Sequence, residues 1–143
     1  MREGHEIILE GMIREFFIRI LRSIPNHTVE GWSTVLDVRR YLNENMVKPF
    51  DLTQIAQEFG FNKSHLCRLF RKIQNMTMYE YLVHIRCSRA LEMMKDESLS
   101  ITKISQDIGF SDYARFWRCF KQYTGMSPNQ YRNPDSEIFS KTS

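Results

Sequence analysis

Long apolar runs, paired cysteines, glycine-rich loops and clustered metal ligands are all missing from this 143-residue chain, and each absence removes a class of function. No stretch reaches the roughly 18 uncharged apolar residues that cross a bilayer. Glu3, Glu6 and Glu10 stand where a secretory leader would be basic and then continuously apolar. The expectation is a cytoplasmic protein with no membrane contact. Cys67, Cys87 and Cys119 form an odd, scattered set without a CxxC pair, which argues against a disulfide framework and for a reducing compartment. His5, His27, His65 and His84 have no Cys, Asp or Glu at metal-ligand spacing, so no metal is expected. Gly60 and Gly109 stand alone rather than in a phosphate-cradling loop. Cys67 lies beside His65 and Arg68 but lacks an orienting carboxylate and a pocket, so it reads as a passive small residue rather than a low-pKa thiol. No cofactor is called for, and the chain does not read as an enzyme.

Acidic residues are also thin where the chain is most patterned. Residues 31–134 carry 15 Lys/Arg against 10 Asp/Glu, a balance of +5, while residues 1–30 (4 against 5) and 135–143 (1 against 2) are slightly acidic. A basic middle suits a polyanionic partner, although many soluble domains carry as much.

That middle contains one pattern written twice. Leu52, Ile55, Ala56, Gly60 and Phe61 are matched 49 residues later by Ile101, Ile104, Ser105, Gly109 and Phe110. Past the turn the offset becomes 50, pairing Leu66, Arg68 and Phe70 with Phe116, Arg118 and Phe120. A short helix, a Gly turn and a second basic helix, repeated, predict two helix-turn-helix units. Asn62 fits the N-cap of the second helix in the first copy, with Ser111 or Asp112 in the second. Gly125 and Asn75 fit the matching C-caps, where a left-handed backbone is required.

Around the repeat, the spacing predicts an amphipathic helix over residues 5–24, with Ile8, Met12, Phe16, Ile20 and Ile24 in its apolar stripe and Pro25 ending it. Such a stripe needs cover, either from the rest of this chain or from a missing domain or second subunit. Residues 25–32 read as a turn-rich connector, and a second helix is expected from Ser33, as N-cap, to Glu44. A linking helix is predicted over 78–95, with Leu82, Ile85, Ala90, Leu91 and Met94 on its apolar side. The expected architecture is all-α: two helix-turn-helix subdomains joined by a long central helix, about seven helices, plus the N-terminal amphipathic helix. Residues 1–30 are expected to form a linker or dimerisation segment and 31–134 a DNA-binding domain. That domain is expected to hold helix-turn-helix units at 52–74 and 101–124, with 135–143 as a flexible tail.

In such a unit the second helix enters the major groove and its early exposed residues meet base edges. With Leu66, Leu69 and Phe70 turned inward, Ser64, Cys67 and Arg68 become base-reading candidates, and Lys63, Arg71 and Lys72 phosphate contacts. With Phe116 and Phe120 inward, Tyr113, Ala114, Trp117 and Arg118 face the bases and Arg115 and Lys121 flank them. The fork of an arginine can hold guanine O6 and N7 together. Trp117 lies about 100° round the helix from Phe116 and is expected to be largely exposed, against thymine methyls or sugar edges; its bland alternative is packing beside the linking helix.

Residues 35–132 resemble the DNA-binding domain of the AraC/XylS family of bacterial transcription regulators. The second copy carries most of the likeness: Ile101, Ile104, Gly109, Phe110, Phe116, Arg118, Phe120, Lys121, Gly125, Ser127, Pro128, Tyr131 and Arg132 stand in the family's run, with Arg86 and Ala90 as its R-x-x-x-A. Ser105 replaces the usual Ala, and Asn75 the usual Gly. Residues 1–30 are similar to the segment joining a sensing or dimerising domain to the DNA-binding domain. The resemblance implies a two-unit domain that reads adjacent major grooves of double-stranded DNA from one face. It also implies a role in activating transcription, with RNA polymerase as a partner, and either an N-terminal effector or dimerisation domain missing from this chain or, with Met1 as a native start, a small stand-alone regulator. The alternative is a protein-interaction module, or antagonist of a related regulator, acting through the N-terminal apolar helix.

Overall fold

The computed structural model describes residues 26–134, with side chains described from Gly31 onward. The helix expected over 5–24 and the tail from 135 lie outside the described residues. Within them the chain is all-α: α1 (Asn26–Glu44), α2 (Leu52–Glu58), α3 (Lys63–Gln74), α4 (Met78–Met93), α5 (Ile101–Asp107), α6 (Tyr113–Thr124) and α7 (Pro128–Arg132).

The repeat folds twice in the same way. Asp51 opens α2 by accepting from the amides of Thr53 (2.8 Å) and Gln54 (3.2 Å), and Ser100 opens α5 by accepting from Lys103 at 3.1 Å. These bonds satisfy amides that a helix start leaves without partners. The turns then close alike: the Phe61 amide donates to the Ala56 carbonyl at 2.9 Å and the Phe110 amide to that of Ser105 at 3.0 Å. Gly60 and Gly109 sit at φ +68° and +93° in the bends. Asn75 (φ 56°) and Gly125 (φ 81°) end α3 and α6 in the left-handed region, as their residue types predict.

The duplication runs further than the sequence pattern suggests. Thr77 and Glu80 form a capping box at the start of α4, and Ser127 and Gln130 form one at the start of α7. Tyr81 then meets the Phe70 ring edge-on at 5.8 Å, and Tyr131 meets Phe120 in the same way at 5.8 Å. The short α7 is thus the counterpart of the first turns of α4.

Two expectations need correction. Helix α1 begins at Asn26, so residues 26–32 are helical rather than a connector and Ser33 lies inside the helix. Gly31 is buried against α3: a Cβ there would stand 3.0 Å from Leu69 Cδ1 and 3.6 Å from that of Ile73. This glycine serves close helix packing, not a turn, and tertiary contact outweighs its poor helix propensity. Helix α4, 16 residues and about 24 Å long, has two apolar faces instead of one. Met78, Tyr81 and Ile85 pack into a first core with Val35, Val38, Leu42, Ile55, Leu66 and Phe70. Cys87, Ala90 and Met94 pack into a second core with Ile104, Ile108, Phe110, Phe116 and Phe120. At 3.6 residues per turn those two sets lie about 180° apart, so α4 is buried from both sides. Each unit completes its core only by covering one face of the shared helix.

Candidate nucleic-acid interface

Both second helices of the units are built to present cations outward. Their inner positions, Leu66 and Phe70 in α3 and Phe116 and Phe120 in α6, are fully buried. Burying such side chains contributes roughly 1.5–3 kcal/mol each and fixes the rotation of each helix. The N-terminal turns are pinned by Asn62, which accepts from the Ser64 amide at 2.9 Å, and by Asp112, not Ser111, which accepts from the Arg115 amide at 2.7 Å.

On the opposite faces stand Lys63, Arg68, Arg71 and Lys72 of α3 and Arg115, Arg118 and Lys121 of α6, all exposed. Neither helix contains an acidic residue, giving +4 and +3. Among the described residues, ion pairs join Arg40 to Asp37, Arg89 to Glu92 and Lys103 to Asp107, none of them on α3 or α6. A polyanion approaching these helices therefore has no salt bridge on them to break among the described residues.

The other candidate positions divide by exposure. Ser64 and Ala114 are exposed beside the arginines. Cys67, expected on the outer side, is half-buried against the first core. Tyr113 is half-buried on the second core, its ring 6.0 Å from that of Phe116. Trp117 is also half-buried rather than largely exposed, and Lys121 Nζ lies over its ring at 5.0 Å. Besides Lys121, two of the proposed phosphate contacts have local partners: Lys63 Nζ donates to Thr53 Oγ1 at 3.3 Å, and the Arg115 guanidinium lies 5.0 Å from the Tyr79 ring centre on α4. Both contacts are weak enough to be exchanged for a phosphate.

Between the units is an open cleft walled by Phe50, Tyr79 and Arg115 and floored by Arg86 and Phe110. Arg86 is 4% exposed. Burial draws its guanidinium below the ordinary arginine value, yet it stays charged and hydrogen-bonded. Sequence reading found it only as part of a family pattern. Its physical signal was an arginine set among the apolar positions of a helix covered on both sides. Among the described residues no group of three or more His, Cys, Asp or Glu could hold a metal ion, and no helix is long and apolar enough to cross a membrane.

Comparison with known proteins finds the same kind of domain. Residues 38–134 match a family model described as a helix-turn-helix domain. The chain is 32% identical over 110 residues to the HTH-type transcriptional activator AarP of Providencia stuartii, covering 77% of this chain and 82% of AarP. It is 28% identical over 133 residues to the Msm operon regulatory protein of Streptococcus mutans, covering 90% of this chain but 48% of that longer protein. Among solved structures, the DNA-binding domain of AdpA, determined in complex with a target DNA, has the same fold at 19% identity. Its TM-score is 0.65, and the match covers 75% of this chain and 96% of that one.

Proposed function

We propose a mode of action from the premise that the chain belongs to the AraC-type helix-turn-helix transcription regulators. It binds double-stranded DNA in a sequence-specific way, inserting α3 and α6 into two successive major-groove segments on one face of the duplex. The observation that carries this reading is the pair of acid-free helices, each with its apolar side locked in a core and its cations in no salt bridge among the described residues. Arg68 with Ser64, and Arg118 with Ala114, read base edges; Cys67, Tyr113 and Trp117 add apolar contact at the margins of each reading face. Lys63, Arg71, Lys72, Arg115 and Lys121 hold phosphates and set register without reading sequence. The protein works in the cytoplasm as an activator, with RNA polymerase as its partner at the promoter; the AarP name supports the activating role. The interaction-module alternative draws no support from these relatives.

Selection from random duplexes followed by footprinting tests this. A protected site spanning about two helical turns on one face is expected. Five phosphate contacts should give a slope of log affinity against log salt of about −4.5. Protection over a single turn would overturn the two-groove reading.

A further inference from the structure

The two glycine turns share a backbone conformation but not surroundings. Around Gly60 a Cβ would meet nothing within 4 Å. Around Gly109 it would lie 2.6 Å from the Val47 carbonyl oxygen, 2.8 Å from Val47 Cα and 2.9 Å from Arg86 Nη2. Val47 belongs to the loop between α1 and α2, which is part of the first unit, whereas Gly109 forms the turn of the second. The units therefore meet backbone to backbone, in a gap only glycine fits.

Arg86 closes that contact. Its Nε donates to the Met46 carbonyl at 2.7 Å and its Nη2 to the Lys48 carbonyl at 2.8 Å, on either side of Val47. The same guanidinium lies 5.4 Å from the centre of the Phe110 ring, one residue past Gly109. One buried cation thus engages two carbonyls of the first unit and an aromatic face of the second, while standing on the helix they share. Charge-assisted bonds of fixed fork geometry resist rotation more than apolar packing does.

We propose that Arg86 is a positioning residue for DNA recognition: it clasps the α1–α2 loop to the Gly109–Phe110 turn and so fixes the separation and twist of α3 relative to α6. The base-pair spacing that the protein accepts between its two half-sites follows from this clasp. The inference rests on the two-groove reading, since spacing matters only if both helices engage DNA. Inserting one base pair between half-sites moves the second by about 3.4 Å and rotates it by roughly 35°. A rigid pair of units cannot follow that displacement, but a loosened pair can.

The test compares duplexes carrying the selected site at native spacing and with one base pair added or removed. Wild-type protein should lose roughly tenfold or more in affinity on either respaced duplex, as for a mismatched base pair. Arg86→Lys, which keeps the charge but not the fork, and Arg86→Met should bring that ratio to within about threefold while each half-site is still read. Circular dichroism and thermal melting establish that each variant is folded. A folded Arg86 variant that weakens all three duplexes alike, keeping the wild-type ratio, would overturn the clasp.

A second measurement needs no variant. Residual dipolar couplings on the wild-type chain should orient both units with a single alignment tensor, and two distinct tensors would overturn the proposal. A one-turn wild-type footprint would strike the two-groove reading instead, leaving the couplings to judge the clasp on their own.

Discussion

Lys121 Nζ lies 5.0 Å from the centre of the Trp117 ring, one turn further along α6. The ammonium lies over an indole on the proposed DNA side, and Lys121 is exposed, so it can also reach a phosphate. These two roles can be separated. Lys121→Gln should cost about 0.5–1 kcal/mol in chemical unfolding, the worth of an exposed cation–π contact. It should also weaken preferred and random duplexes alike and make the salt slope shallower by about one. A loss confined to the preferred duplex would show that Lys121 reads bases.

The glycines at the two bends offer a comparison within one molecule. Gly60→Ala should cost only the left-handed backbone penalty of roughly 1–2 kcal/mol, because a methyl group there meets nothing. Gly109→Ala adds overlap with backbone atoms of Val47 and should cost on the order of 1–3 kcal/mol more. Urea unfolding of both variants measures the difference. Equal costs would mean that the Val47 contact gives way freely.

Glu80 and Gln130 occupy equivalent capping positions, but only one titrates. The Thr77 amide, and then its hydroxyl, donate to the Glu80 carboxylate at 2.7 and 3.0 Å and hold its pKa below the ordinary 4.5, with smaller attraction from Arg71 and His84. A folded pKa below the unfolded one contributes stability above the unfolded value, lost as pH falls through the folded value. Glu80→Gln reproduces the cap that Gln130 makes with Ser127. The wild type should therefore melt higher than the variant at pH 7, and the gap should close as pH drops below 4.5. A gap that stays constant with pH would contradict this origin.

Cys87 is fully buried beside the second core, and burial, with the neighbouring Cys119 adding to it, pushes its thiol up to about 12. Cys67 and Cys119 are half-exposed and free. A maleimide at pH 7.5 should add twice to the folded chain and a third time only in denaturant, as mass spectrometry would record. Labelling of Cys87 at the rate of the other two would mean that the second core opens readily.

Much of this frame was legible in the sequence because the duplication states the same local rules twice. Apolar positions at helical spacing placed Leu66, Phe70, Phe116 and Phe120 in the cores, and Asn62, Asn75 and Gly125 marked the caps they make. What escaped depends on contacts distant along the chain. Gly31 resembles a turn residue until Leu69 is seen against it. The apolar residues of α4 look like one stripe until two cores claim opposite faces. Trp117 looks exposed because helical phase places a residue on a side of the helix without revealing what neighbouring side chains cover there. Arg86 shows the limit most clearly: its hydrogen-bond acceptors lie 40 and 38 residues earlier, in a loop with no pattern of its own. The basic faces of α3 and α6 were legible as chemistry, through cations without acids.

The proposed function requires one frame with two different readers, Arg68 in one unit and Arg118 in the other. Measuring the affinity of wild type, Arg68→Ala and Arg118→Ala for four duplexes tests it most directly: the intact site, each half scrambled in turn, and both scrambled. Each substitution should cost about 1–3 kcal/mol wherever its own half-site is intact and almost nothing where that half is scrambled, with the two variants showing opposite patterns. Equal losses on all four duplexes would make both arginines phosphate contacts and contradict the claim.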